Sequence, residues 1–288
     1  MIPGRFDYHR PATAQDAVAL LAQLGEDARP LAGGHSLIPV MKSRLAAPEH
    51  LVDLGGIGDL RFIRLEGDKV VIGAMTTQHD LLTSPVIAQH LPIVPETSAL
   101  IADPQVRYLG TLGGNVANGD PGNDMPALMM CLGATYVVLG AGGERRIAAR
   151  DFYLGTYVTA LQPGEIVTAI EVPPMAPGTG YAYEKLKRKV GDYATAAAAV
   201  TLTLAGGTCT SASIGLTNVA ETPLFAADAA KALVGTNLTK EAIDAAVAAA
   251  EAITNPAHDA RGTPAYRTKM AGVMLRRAID RAAARARG

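Results

Sequence analysis

The chain has 288 residues, 49% of them apolar, with 26 basic and 27 acidic side chains. That length accommodates two domains of ordinary size and a sizeable core. A formal net charge of −1 excludes the electrostatic footprint of a nucleic-acid or anionic-membrane binder.

The two cysteines, Cys131 and Cys209, lie in apolar or small-residue stretches and read as buried small hydrophobes. They argue against a disulfide framework and cannot furnish the four thiolates of an iron–sulfur cluster. The opening Met1-Ile2-Pro3-Gly4-Arg5-Phe6-Asp7 lacks the apolar h-region of a signal peptide. The longest weakly polar run, 194–205, is too short and too rich in Ala and Thr to span a bilayer. A cytoplasmic protein is expected. The basic runs at 185–189 and 276–287 read as solvated surface.

In chain order, Thr13 opens a helix with Asp16 three residues on, an apolar stripe of Val18, Leu20, Leu21 and Leu24, and Gly25 as its stop. A short strand at 29–32 runs into Gly33-Gly34, a short helix at 37–44 follows, and 50–54 is a strand. Segments 61–66 and 69–74 form a hairpin around Gly67-Asp68. Segments 78–83 and 86–102 read as helices, punctuated by Pro85, Pro92 and Pro95. The stretch 103–123 reads as one long loop, a length that usually signals function or disorder. A helix at 124–132 and strands at 134–139 and 165–172 complete the first half. Pro173, Pro174 and Pro177, with Gly178 and Gly180, mark a domain boundary. Beyond it, strands at 181–187, 197–204 and 209–219 suggest a three-stranded sheet. Helices follow at 224–234, 240–253 and 265–286, the last with Tyr266, Met270, Val273, Met274 and Ile279 on or near its apolar side. The class is α+β, with domains at 1–177 (two lobes, about 1–56 and 57–177) and 178–288.

Two segments share one grammar, Ala32-Gly33-Gly34-His35-Ser36 and Thr111-Leu112-Gly113-Gly114-Asn115. Backbone N–H groups can cradle a bulky pyrophosphate only where no Cβ intervenes, and glycine also reaches the φ > 0 conformations that aim successive N–H groups into one concavity. The first loop precedes a helix, whose N-terminal N–H groups would reinforce anion binding, with Ser36 as N-cap or phosphate donor. Neither loop matches Gly-x-Gly-x-x-Gly or a P-loop. Paired glycines at 55–56, 142–143 and 206–207 show that such pairs also serve ordinary turns, so spacing alone defines no more than a dinucleotide-phosphate site. The six histidines (9, 35, 50, 79, 90 and 258) are scattered without ligand spacing, which predicts no metal site. His35 has no triad-like partner and reads as a loop-shaping residue, so no catalytic residue is expected.

These loops, together with Asn118-Gly119-Asp120-Pro121-Gly122-Asn123-Asp124-Met125-Pro126, Tyr183 to Ala194 and the closing Tyr266 to Arg277, resemble the FAD subunits of molybdenum hydroxylases, the xanthine dehydrogenase family. The resemblance spans essentially the whole chain. It is strongest to the branch of medium, flavoprotein subunits of aerobic carbon monoxide dehydrogenases. It implies a PCMH/vanillyl-alcohol-oxidase-type FAD-binding domain followed by a C-terminal domain of three strands and three helices. It also implies non-covalent FAD, with its pyrophosphate against Ala32, Gly33, Gly34, His35, Ser36 and Leu37 and against Thr111, Leu112, Gly113, Gly114 and Asn115, near Asn118. Asp124 would accept hydrogen bonds from flavin or ribityl donors, Leu161 would pack near the ring, and Lys185 would supply a cation at the ring or the phosphates. Asp192 and Tyr193 would lie near the isoalloxazine, Tyr193 covering one face. The four-cysteine insertion of the hydroxybenzoyl-CoA reductase branch is missing.

The implied role is an electron-transfer subunit that takes electrons from [2Fe-2S] clusters and passes them from FAD to a quinone or other acceptor. Partners would be a large molybdenum-cofactor subunit and a small iron–sulfur subunit in a dimer of heterotrimers, in the cytoplasm or at the inner face of the membrane through the complex. The rival readings are a subunit of another molybdenum hydroxylase, a self-sufficient FAD oxidase or dehydrogenase, and a scaffold that binds no flavin.

Overall fold

The computed structural model describes residues 2–287. It begins with β1 (Asp7–His9), α1 (Ala14–Leu24), β2 (Ala28–Leu31), α2 (Leu37–Lys42) and β3 (His50–Asp53); β3 lies between β1 and β2 in a three-stranded parallel sheet. Thr13 caps α1 by accepting from the Asp16 N–H at 3.1 Å, and Ala17, Val18 and Leu21 bury its inner side. The hairpin β4 (Ile63–Glu66) and β5 (Lys69–Gly73) forms around Gly67-Asp68 as expected.

Six helices follow: α3 (Gln78–Thr83), α4 (Pro85–His90), α5 (Ile93–Leu100), α6 (Pro104–Leu109), α7 (Leu112–Ala117) and α8 (Asp124–Cys131). Two corrections arise here. The helix expected over 86–102 is two, because Pro92 lacks an N–H and drives Leu91 out of the helical region, to φ −138° and ψ 57°. The loop expected over 103–123 holds α6 and α7, each started by a side chain. Asp103 accepts from the Val106 N–H and Thr111 from the Gly114 N–H, both at 3.0 Å. Six residues are too few to display a helical period.

Next come β6 (Thr135–Gly140), β7 (Gly143–Ala148), the small hairpin β8 (Tyr153–Gly155) and β9 (Val158–Thr159), and β10 (Ile166–Val172). The second sheet runs β4-β5-β10-β6-β7, antiparallel throughout. The sequence reading misses β7, because an edge strand reading Gly-Glu-Arg-Arg lacks alternation, and misses β1, β8 and β9, which are two or three residues long.

The last part holds β11 (Thr179–Leu186), β12 (Ala196–Ala205), β13 (Thr208–Thr217), β14 (Leu224–Phe225), α9 (Ala227–Leu233), α10 (Lys240–Ala252) and α11 (Pro264–Ala286). Its antiparallel sheet has four strands, not three, because Leu224 and Phe225 pair with β13 before α9 begins. This sheet is covered on both faces. Ala197 and Ala199 of β12 join the core that contains α8, whereas Ala196, Ala198 and Val200 join the core beneath α11. Close approach explains the small residues. A Cβ on Gly215 would stand 2.2 Å from the Ala127 carbonyl of α8, and one on Gly180 would stand 1.9 Å from the Ala282 carbonyl of α11. α8 is thereby packed against β13, and α11 against β11.

The basic tail is less solvated than its composition suggests. Arg281 and Arg285 reach Glu96 of α5 at 3.2 and 2.7 Å, and Arg285 stacks over Tyr181. Tyr266, expected near the apolar side of α11, is 47% exposed.

Candidate functional site

The two double-glycine loops meet. A Cβ on Gly114 would lie 3.3 Å from the Ala32 Cβ, and one on Gly33 would lie 2.1 Å from the Leu109 carbonyl, just before the second loop. Gly113 is pressed against Ala74, whose Cβ and carbonyl oxygen would stand 2.5 and 2.7 Å from an added Cβ. Gly34 adopts φ +74°, a conformation that an L side chain would strain.

Their shared grammar hides different duties. In the second loop the N–H groups of Leu112, Gly113, Gly114 and Asn115 all donate within the protein: to Thr76 O, Ala74 O, Thr111 Oγ1 and Thr111 O, at 2.8, 2.8, 3.0 and 3.0 Å. In the first loop, by contrast, none of the N–H groups from Gly33 to Leu37 donates to an acceptor among the described residues. The first loop therefore keeps backbone N–H groups available to an anion, and the second loop lies at its side. In the second loop the Thr111 hydroxyl oxygen accepts from Gly114 while its hydrogen finds no acceptor among the described residues, which leaves it as a donor. Ser36 makes no side-chain cap bond to α2, so the N-cap alternative gives way to the free hydroxyl. His35 is exposed on the loop.

A chain of contacts leads away from the cradle. Asn123 Nδ2 donates to the Asn115 carbonyl at 2.8 Å, and Asn118 closes α7 on Gly114 O. Next to Asn123 sits Asp124, buried at the first position of α8. Lys185 Nζ donates to its Oδ2 at 2.7 Å and the Tyr183 hydroxyl to its Oδ1 at 2.6 Å; Tyr183 also meets Thr217 Oγ1 at 3.2 Å. The side chains of Lys185 and Asp124 are 2% and 6% exposed, so Lys185 is no part of a solvated basic run. Nor is it a free cation: Asp124 compensates its charge. Burial first, then the Asp124 carboxylate, holds the Tyr183 hydroxyl well above the ordinary tyrosine range, so it stays a proton donor.

At the far end, the Tyr193 ring lies against Gly122, where an added Cβ would be 2.9 Å from Cδ1. Tyr193 is 41% exposed. Burial of part of the ring, then the charge of Asp120, pushes its hydroxyl up to about 12. Asp192 bonds Arg188 at 3.0 Å. Thr159 abuts Gly119, and Leu161, partly buried against the main core, follows two residues on.

Three buried side-chain polar atoms lack a hydrogen-bond partner among the described residues: Gln78 Nε2, Asn115 Oδ1 and Arg261 Nε. Asn115 lies in the second loop, the Gln78 N–H bonds Gly110 beside it, and the Arg261 guanidinium carbon stands 5.7 Å from the Tyr193 ring centroid. Asn115 Oδ1 and the unengaged N–H groups of the first loop are polar groups that a bound dinucleotide would satisfy.

The sequence reading missed Tyr183, although it lies two residues from Lys185 and so on the same face of a strand. It also missed the backbone at Leu100–Ala102. Ala102 has φ +42°, Lys185 Nζ lies 3.5 Å from Leu100 O, and Arg107 bonds Ile101 O at 2.9 Å. No sequence signal marks that strained residue.

Comparison with known proteins places this fold in the class of FAD-binding subunits of molybdenum hydroxylases. The chain belongs to the family described as the FAD binding domain in molybdopterin dehydrogenase, matched over residues 4–175, and residues 181–282 match the CO dehydrogenase flavoprotein C-terminal domain. It is 70% identical to the carbon monoxide dehydrogenase medium chain of Afipia carboxidovorans over 287 residues, covering 100% of both chains. It is 53% identical to the medium chain of Hydrogenophaga pseudoflava, over 99% of each. Among solved structures, the Cu,Mo-CO dehydrogenase in its cyanide-inactivated form matches with a TM-score of 0.98 at 70% identity, over 99% of this chain and 100% of that one.

Proposed function

We propose that the chain is the FAD-carrying subunit of a carbon monoxide dehydrogenase, relaying electrons rather than transforming substrate. The observation that carries the cofactor reading is the run of unengaged N–H groups from Gly33 to Leu37, closed by Thr111 to Asn115. The substrate reading rests on the identity to two carbon monoxide dehydrogenase medium chains over essentially the full length.

Ala32 to Leu37 would hold the pyrophosphate through backbone N–H groups and the Ser36 hydroxyl, with Thr111 donating from the side. Asn115 and Asn118 would offer amide groups further along. Leu161 would give the ring an apolar wall, and Asp192 and Tyr193 would bound its other side. Asp124, already joined to Lys185 and Tyr183, would offer its remaining lone pairs to ligand donors. When bound, FAD supplies a two-electron store that accepts electrons singly, which suits a chain between [2Fe-2S] clusters and a quinone or other acceptor.

The partners in this reading are a large molybdenum-binding and a small iron–sulfur subunit, arranged as a dimer of heterotrimers in the cytoplasm or at the inner face of the membrane. No helix among the described residues is long and apolar enough to cross a membrane. The domain division falls at 177/178, within the proline-rich link after β10.

The test is to purify the native complex through a tag on this chain and record flavin absorbance under carbon monoxide. Bleaching, with molybdenum and iron–sulfur subunits present, is expected. A flavin blind to carbon monoxide would move the substrate to another molybdenum hydroxylase, and a partnerless chain whose flavin some substrate reduces unaided would overturn the relay.

A further inference from the structure

The closing motif around Arg267 lies on α11 and has no place in the cradle, yet Arg267 is only 3% exposed and richly bonded. Its guanidinium donates to the carbonyls of Asn218, Thr195 (3.3 Å) and Ala257 (2.9 Å), and it pairs with Asp259 at 3.2 Å. Those carbonyls belong to the end of β13, the approach to β12 and the loop before α11. One buried guanidinium thus fixes the loop 255–262 to the sheet.

That loop in turn grips the loop 187–193. Arg261 Nη1 bonds Asp259 at 2.9 Å, its N–H bonds Asp259 Oδ1 at 2.8 Å, and its Nη2 lies 3.8 Å from Asp192 Oδ1. Arg188 bonds Asp192 at 3.0 Å and the Ala260 carbonyl at 3.3 Å. The same Arg261 guanidinium stands over the Tyr193 ring at 5.7 Å, near the outer limit of a cation–π contact. Its Nε is buried and unpartnered, so the group is held by the network and not by its own full complement of bonds.

We infer that Arg261 is a positioning residue for Tyr193: the relay Arg267–Asp259–Arg261–Asp192 sets the aromatic ring against the flavin face. The inference rests on the reading that Tyr193 covers FAD. An exposed tyrosine near the end of the nine-residue link between β11 and β12 would otherwise sample many positions. The charge pairs of the adjacent Asp192 with Arg188 and Arg261 reduce that freedom before the ligand arrives, which lowers the ordering cost of binding. Arginine is required at 261 because its planar fork serves Asp259 and Asp192 at once, which a lysine ammonium does not reproduce.

The test uses the native complex with Arg261→Ala and Arg261→Lys. Two quantities are read: amide exchange across 187–193, and fluorescence of the bound flavin, which a tyrosine in face contact quenches. For Arg261→Ala, exchange about tenfold faster and a rise in flavin fluorescence are expected, with flavin content retained and Arg261→Lys intermediate. Should Arg261→Ala not assemble, Asp192→Asn removes the charge without changing the shape and gives the same two readings. Flavin-loaded complexes in which exchange and fluorescence stay at the wild-type values would overturn the inference alone. A wild-type complex without flavin would overturn the cofactor reading and the inference with it.

Discussion

Replacing Lys185 by methionine removes an ammonium that lies 2.7 Å from Asp124 Oδ2 while leaving the carboxylate buried at 6% exposure. Removing one partner of a buried pair typically costs about 3–5 kcal/mol, because the other charge stays out of water uncompensated. Asp124 keeps the Tyr183 hydroxyl at 2.6 Å, and a hydrogen bond to a charged group contributes about 1.5–3 kcal/mol. The expected loss is therefore near the lower end, about 3 kcal/mol. At about 2–4 °C per kcal/mol for a chain of a few hundred residues, Tm should fall by roughly 6–12 °C. Thermal unfolding followed by circular dichroism, with and without added FAD, reads this directly. The double variant Lys185→Met/Asp124→Leu removes both charges and should be more stable than Lys185→Met alone. A single variant within about 3 °C of wild type, or a double variant no better than the single, would refute the buried-pair argument.

Gly113→Ala should lower flavin content and cost about 1–3 kcal/mol, because its Cβ would meet Ala74 at 2.5 Å; Gly142→Ala, with nothing within 4 Å and no positive φ, is the neutral control. Flavin released on acid precipitation and Tm together check both. Burial pushes the Cys131 thiol up to about 11 and raises that of Cys209, so a thiol reagent at pH 8 should label neither in the native chain and both after denaturation. Asp192 and Asp259 titrate low in the fold: burial opposes ionisation, but Arg188 at Asp192 and Arg261 at Asp259, with Arg267, outweigh it. Their folded values lie below the unfolded value of about 3.9, so their stabilisation is complete above that pH and is lost as pH falls through the folded values. Amide exchange across 187–193 should thus be unaffected by pairing from pH 7 to about 5 and accelerate, beyond its intrinsic pH dependence, on further acidification; loss of protection already between pH 7 and 6 would contradict the sign.

Much of the architecture was legible because its signals are local. Thr13 and Gly25 bound α1, Gly67-Asp68 closes β4–β5, and the prolines after β10 mark the passage to β11. What escaped depends on tertiary neighbours. The strand expected at 197–204 forms as β12, but that helices press on both its faces is written in Gly180 and Gly215 only once their partners Ala282 and Ala127 are known. The double-glycine loops could be picked out, but not their division of labour, since the acceptors that consume the second loop's N–H groups, Ala74 and Thr76, lie far away in sequence. Lys185 read as part of a charge run because neither its own burial nor the carboxylate it meets, 61 residues away, is local information. The network around Arg261 was invisible for the same reason, although both its anchor motif and the Asp192-Tyr193 pair had been singled out.

The relay claim is tested most directly by stripping FAD from the native complex and following electrons from carbon monoxide. Iron–sulfur absorbance should still bleach, reduction of a quinone analogue should stop, and added FAD should restore it. A flavin-free complex that still reduces the acceptor at the full rate would contradict the assignment of this chain as the relay.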